Sequence, residues 1–325
     1  MQYTRAEAKA WGRENITGQW TTMVTPFTAE DELDEKGLSA NVEHVLKLGT
    51  HGLGFSWNMG EFWSLTGDER HRLMELVPRL VKRRALTAFQ VTDTCLKDVV
   101  AMARRAGELG FDFVILAAPY MVTKTDEQVI DWVSRVASAV DIGIAFYNSP
   151  QFGIVLSARS LAKMADLPTL IAIKEASFNL QLSIDTHLSA GGKAVVSMPD
   201  EEIFFVGEPY GIRQQVMFAN TSDWRFDTET SHQYVQFIDQ ATHGRWDDAR
   251  RLYAKIQPIK AVSRKWWGRL AGRTGGALPV QMVKFWGELM GMAGGPVRPP
   301  LMPLTQEERD EMRQDLSRLG LFRGT

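Results

Sequence analysis

Two residues in this chain have types and positions that suit covalent chemistry. Lys174 directly follows the apolar run Leu170-Ile171-Ala172-Ile173, and Tyr147 closes another, Ile142-Gly143-Ile144-Ala145-Phe146. Short runs rich in β-branching read as buried strands. An ammonium at the end of such a run is unusual, because desolvating it is costly. Two readings compete. Either Lys174 has left the strand and pairs with Glu175 or a loop carboxylate, or it stays in apolar surroundings where its pKa falls and its amine becomes a nucleophile. The local pattern favours the ion pair. For Tyr147 alone, the plain reading is a half-buried tyrosine at a strand edge. If the two share a cavity, a neutral amine beside a phenol is the equipment for imine formation with a ketone, the phenol relaying protons.

The elements that would position them alternate regularly. Strands are expected at Gln19–Thr25, Gly52–Ser56, Ala85–Val91, Phe113–Ala117, Ile142–Tyr147, Leu170–Ile173, Ala194–Met198 and Gln215–Ala219. Between them, helical patterns fall at about Lys36–Leu48, Gly67–Lys82, Lys97–Leu109, Asp126–Ala139, Ser157–Ala165, Asn179–Leu188 and Glu202–Gly207, with an eighth helix starting near Thr228. Eight strands alternating with eight helices predict an α/β fold, a (β/α)8 TIM barrel whose site lies at the C-terminal ends of the strands. After it, Trp246–Leu270, Val280–Met292 and Gln306–Leu319 read as three more helices, the last with Thr305 and Glu308 at capping-box spacing. The expected divisions are an N-terminal segment 1–17, a catalytic barrel 18–244 and a C-terminal helical extension 245–325.

On that reading Lys174, Tyr147 and the loop Trp57-Asn58-Met59-Gly60-Glu61 converge, and the odds for Lys174 reverse. Trp57, Phe62, Trp63, Phe152 and Trp224 fall near strand ends, where they would wall an aryl group. For any one of them, packing into the barrel rim or a subunit interface is the plainer reading.

Composition narrows the class. With 325 residues, 44% hydrophobic, 23% charged and a net charge of −2, the chain reads as an ordinary globular protein. Lys82-Arg83-Arg84 and Arg104-Arg105 are isolated clusters, so nucleic acid is not an expected partner. Cys95 is the only cysteine, which excludes an intrachain disulfide and fits a reducing cytoplasm. Met1–Asn15 lacks an apolar core of the signal-peptide kind, and no run approaches membrane-spanning length, so a cytoplasmic protein with no membrane partner is expected. His44, His51, His71, His187, His232 and His243 form no paired ligand motif, which counts against a metal-dependent aldolase.

Six stretches, in order, carry a family likeness: Thr22-Met23-Val24-Thr25-Pro26-Phe27, Gly60-Glu61-Phe62-Trp63-Ser64-Leu65-Thr66, Ala118-Pro119-Tyr120, Phe146-Tyr147-Asn148-Ser149-Pro150, Ile173-Lys174-Glu175-Ala176-Ser177 and Gly295-Pro296-Val297-Arg298. From about Gly18 to Leu321 the chain resembles the dihydrodipicolinate synthase and N-acetylneuraminate lyase superfamily of class I pyruvate-type aldolases. The resemblance implies Lys174 as the imine-forming lysine and Tyr147 as the proton relay. It implies that the loop at Asn58, Met59 and Gly60 gives backbone donors to the pyruvate carboxylate, a task suited to convergent N–H groups. It also implies no metal or organic cofactor and a homotetramer.

Three departures bear on the substrate. Asn58 replaces the first threonine of the family's Thr-Thr pair, Met121 stands where the synthases carry a second tyrosine, and Phe152 stands about where they place an arginine. A more apolar pocket argues against dihydrodipicolinate synthesis and against a highly hydroxylated sugar acid. Trp20-Thr21-Thr22-Met23 and Thr25-Pro26 further resemble the hydratase-aldolases that cleave benzylidenepyruvates in aromatic degradation. The expected activity is cleavage of an arylidene pyruvate, or a related 4-substituted 2-oxo acid, to pyruvate and an aldehyde. The alternatives are a 2-keto-3-deoxy sugar-acid dehydratase or aldolase using the same imine, and a non-catalytic 2-oxo-acid-binding barrel.

Overall fold

The computed structural model describes residues 2–218 and 223–321. Its frame is eight parallel strands: β1 Gly18–Thr22, β2 Gly52–Phe55, β3 Leu86–Gln90, β4 Phe113–Ala117, β5 Gly143–Asn148, β6 Leu170–Glu175, β7 Val195–Ser197 and β8 Val216–Phe218. They are laced in the order β7-β6-β5-β4-β3-β2-β1-β8, a nearly closed barrel. At the remaining seam, β7 and β8 are joined by a side chain, the Phe218 N–H donating to Ser197 Oγ at 3.0 Å. Nearly every strand residue is buried, as expected of parallel strands covered on both faces. The end expected for strand eight, Ala219, lies outside the described residues.

Most helices lie within a residue or two of expectation, because their boundaries are written in capping side chains. Thr66 with Glu69 opens α3 (Gly67–Val81), Thr125 with Gln128 opens α5 (Asp126–Ala139), and Thr305 with Glu308 opens α12 (Gln306–Arg318), each as a reciprocal capping box. The helix expected from Thr228 begins later, as α9 (Gln233–Thr242). Residues Asp223–Arg225 first make a 3-10 turn, and the Asp227 carboxylate accepts the N–H groups of Tyr234 and Val235 at 2.8 and 2.9 Å. The other helices around the barrel are α2 (Glu35–Lys47), α4 (Leu96–Leu109), α6 (Ala158–Met164), α7 (Leu180–Ala190) and the single turn α8 (Ile203–Val206).

The two ends of the barrel are built differently. At the N-terminal ends of the strands, α1 (Ala8–Asn15) packs Gly12 against Ile171, and the Tyr3 hydroxyl donates to the Asp112 carbonyl while accepting the Gly143 N–H. In the interior, Trp20 lies with its ring centroid 4.9 Å from Phe113 and 5.5 Å from Phe218. Gly52 permits this, since a Cβ there would come within 2.5 Å of the Trp20 ring. The C-terminal helices α10 (Trp246–Arg273), α11 (Val280–Leu289) and α12 pack together around Trp266, whose indole N–H donates to Asp315 at 2.9 Å. Among the described residues, no helix is long and apolar enough to cross a membrane.

Candidate functional site

Strand β6 does not end before Lys174; it continues through Glu175. Lys174 is therefore a strand residue, in register with Tyr147 on β5 and Ser197 on β7. This overturns the surface ion pair that the local sequence favoured. Side chains alternate across a strand, so the adjacent Glu175 points to the opposite face. There its carboxylate accepts from the Ser183 hydroxyl and from the Ser177 N–H at 3.1 Å. Lys174 is 3% exposed, and among the described residues no carboxylate pairs with it. Its Nζ instead lies 5.1 Å from the ring centroid of Trp57 and 4.9 Å from that of Tyr147. Burial, with no charge to oppose it, pulls the amine down to about 7. Burial pushes the Tyr147 phenol up to about 12, with the Ser149 hydroxyl pulling the other way, so it stays protonated at neutral pH.

The loop after β2 is held in an unusual shape. Ser56 and Glu61 bracket it with φ of +56° and +52°, a region non-glycine residues seldom occupy. Between them Asn58–Gly60 makes a 3-10 turn in which the N–H groups of Gly60 and Glu61 donate to Trp57 and Asn58 carbonyls. The N–H groups of Asn58 and Met59 have no acceptor among the described residues, as expected at the start of a turn. Gly60 seats this turn on the end of the β1 segment. A Cβ there would sit 3.1 Å from the Met23 carbonyl, and Thr25 Oγ1 donates to the Gly60 carbonyl at 2.8 Å.

Beneath the loop lies a charged anchor. Glu61 is fully buried, 2.5 Å from Lys284 Nζ of α11, and accepts the Arg298 N–H at 3.2 Å. Burial raises the Glu61 carboxyl and lowers the Lys284 amine, and their contact opposes both shifts. The Arg298 guanidinium grips Glu69 at 2.6 and 2.7 Å and Asp31 at 2.7 Å, with its centre 4.0 Å from the Phe27 ring centroid. The Gly60–Thr66 and Gly295–Arg298 stretches, far apart in sequence, thus form one scaffold. Lys284 was not among the residues singled out from the sequence. The signal that could have found it is a lone lysine inside Val280-Gln281-Met282-Val283-Lys284-Phe285-Trp286, whose residues are all buried.

Above the scaffold, a cavity of about 290 Å³ is lined by Asn58, Phe62, Trp63, Tyr120, Phe152 and Leu278, among others. Phe152 joins it to Tyr147, with ring centroids 5.4 Å from Tyr147 and 6.2 Å from Phe62. Trp57 lies beneath, edge-on to Phe218. Trp224 takes no part in this wall; it is buried against Gly287 and has the Arg225 guanidinium 5.7 Å from its ring centroid. A second cavity, of about 310 Å³, is more polar and is lined by Glu175, Asp200, Glu201, Lys260, Ser263 and Arg264, among others.

A model described as the dihydrodipicolinate synthetase family matches residues 15–319. A 4-hydroxy-tetrahydrodipicolinate synthase of Bacillus subtilis is 26% identical over 305 residues, spanning 92% of this chain and 98% of that protein. One from Pelobacter propionicus is 28% identical over 244 residues, covering 74% of this chain and 81% of its own. Among solved structures, the dihydrodipicolinate synthase of Thermotoga maritima superposes with a TM-score of 0.80 at 22% identity, over 95% of this chain and all of its own. A prophage protein of the same family from E. coli K12, solved with pyruvate, gives 0.80 at 21% identity over 94% and 99%.

Proposed function

Because the chain belongs to the dihydrodipicolinate synthetase family and is a class I, Schiff-base lyase of the pyruvate-aldolase type, we propose that Lys174 forms the imine and that the substrate is an arylidene pyruvate or related 4-substituted 2-oxo acid. The observation that carries this reading is the placement of Lys174, buried with no carboxylate partner among the described residues and in register with Tyr147. An amine near neutrality is nucleophilic at physiological pH, and a protonated phenol beside it can give and take a proton.

In the proposed sequence, the Asn58 and Met59 N–H groups hold the substrate carboxylate. The Lys174 amine adds to the C2 ketone, and the carbinolamine loses water with the Tyr147 phenol supplying the proton. The resulting iminium withdraws electrons from the conjugated double bond, so water adds at C4 and a proton enters at C3. Loss of the C4 hydroxyl proton through Tyr147 then breaks the C3–C4 bond, releasing an aldehyde and leaving an enamine. Protonation at C3 and hydrolysis of the iminium free pyruvate and Lys174. One water is consumed overall, and the aryl group rests among Phe62, Trp63, Tyr120 and Phe152.

The alternative reading is a 2-keto-3-deoxy sugar acid processed through the same Lys174 imine. Pyruvate release from paired aryl and sugar-derived 2-oxo acids separates the two. Borohydride reduction with pyruvate tests the common step: a mass gain on wild type that Lys174→Ala abolishes is expected, and an adduct that survives the substitution overturns the assignment. On family membership we further propose a homotetramer, to be checked by sedimentation.

A further inference from the structure

Gln90, the last residue of β3, is fully buried inside the barrel in the layer of Ile115, its register partner on β4. A primary amide among apolar side chains is costly unless its hydrogen bonds are used. Its Nε2 donates to Asn58 Oδ1 at 3.4 Å, while its own Oε1 is buried without a partner among the described residues. The backbone beneath it is pinned, since the buried Arg70 guanidinium donates to the carbonyls of Gln90 and Thr92 at 3.1 and 3.2 Å. Asn58 in turn lines the aromatic cavity. With its carboxamide oxygen engaged by Gln90, Asn58 has its two side-chain N–H donors left for that cavity.

We propose that Gln90 is a positioning residue that orients the Asn58 carboxamide toward the oxygen on C4 of the substrate. When the C3–C4 bond breaks, the C4 hydroxyl gives up its proton through Tyr147. Its oxygen becomes the aldehyde carbonyl and the C3–C4 electron pair moves into the iminium. Negative charge gathers on the C4 oxygen along that path, and a fixed N–H donor stabilises it. The carboxylate is held by the Asn58 and Met59 main chain, so the Asn58 side chain serves C4 and the backbone serves C1. Reactions of pyruvate itself, which has no C4, do not need the Gln90–Asn58 pair.

The inference rests on the imine at Lys174 and is tested separately from it. The full chain is compared with Gln90→Met, which keeps length and volume but removes the amide. Three readouts are taken: borohydride-trapped pyruvate adduct, deuterium exchange at pyruvate C3, and cleavage of 4-hydroxy-2-oxo-4-phenylbutanoate. Trapping and exchange are expected to stay within about twofold of wild type while kcat for cleavage falls by about 10- to 100-fold, below the loss for removing a direct donor. Gln90→Leu, which likewise removes the amide, is expected to show the same split and decides the matter if Gln90→Met does not fold. Cleavage within twofold of wild type, or exchange falling in parallel with cleavage, overturns the proposal. Absence of a trapped adduct in wild type overturns the imine assignment instead, and this proposal with it.

Discussion

Lys284 Nζ and Glu61 Oε1 are 2.5 Å apart, both shut away from solvent, and they tie α11 to the loop on which Asn58 and Met59 sit. Lys284 also donates to the Pro296 carbonyl at 2.8 Å, so one ammonium holds three segments of the chain.

Removing one member of a buried ion pair leaves the other charge uncompensated, at a cost of about 3–5 kcal/mol. Lys284→Met is therefore expected to lower unfolding free energy by that amount in urea denaturation. Glu61→Gln combined with Lys284→Met should recover part of the loss. Equal stability of the single and double variants would contradict this account.

The depressed amine of Lys174 gives two pH signatures. Below about 7 the amine is protonated and cannot attack, so pyruvate trapping should rise with pH through that value and then level off. For stability, the folded pKa of about 7 lies below the ordinary 10.5, so between them the unfolded chain binds more protons. Stability contributed at this residue is lost as pH falls from 10.5 to 7. Lys174→Met should abolish that slope and unfold at higher urea near pH 7, by a margin of about 2–5 kcal/mol.

Tyr147→Phe removes a hydroxyl and keeps the ring against Phe152 and Lys174. The expected result is a fall in turnover of about 10²- to 10⁴-fold, the usual worth of a positioned acid-base group, with unfolding free energy changed by less than about 1 kcal/mol. Full turnover in this variant would remove the phenol from the relay.

Trp63 sits at the rim of the aromatic cavity with 37% of its surface exposed, edge-on to Phe62 at 5.5 Å. Its truncation should cost little stability but remove one wall. Trp63→Ala is expected to raise KM for an arylidene pyruvate by about 3- to 10-fold, matching an aromatic contact of about 0.5–1.5 kcal/mol. Trapping of pyruvate should not change.

The parts legible in the sequence were those recorded locally. Apolar runs marked the strands, capping pairs such as Thr305 and Glu308 marked helix starts, and the alternation of the two marked the barrel. Whether Lys174 stayed in its strand was not local information. It depended on Tyr147 and Ser197 arriving on either side, and on Glu175 finding Ser183 and Ser177 on the other face. Trp224 had the right residue type and a strand-end position, but its location against Gly287 was set by where α11 packs. Lys284 and Gln90 are not legible in the local sequence, because a buried polar residue declares itself through its partner. Those partners, Glu61 and Asn58, lie 223 and 32 residues away in sequence.

The seam between β7 and β8 carries a further meaning. Every other neighbouring pair of strands is laced by a main-chain ladder, whereas here, among the described residues, a serine hydroxyl stands in for it. A circular permutant with new ends at the exposed turn around Gly211 would sever no rung between strands. The barrel thus contains its own place to be cut and rejoined, one strand away from the lysine that defines it.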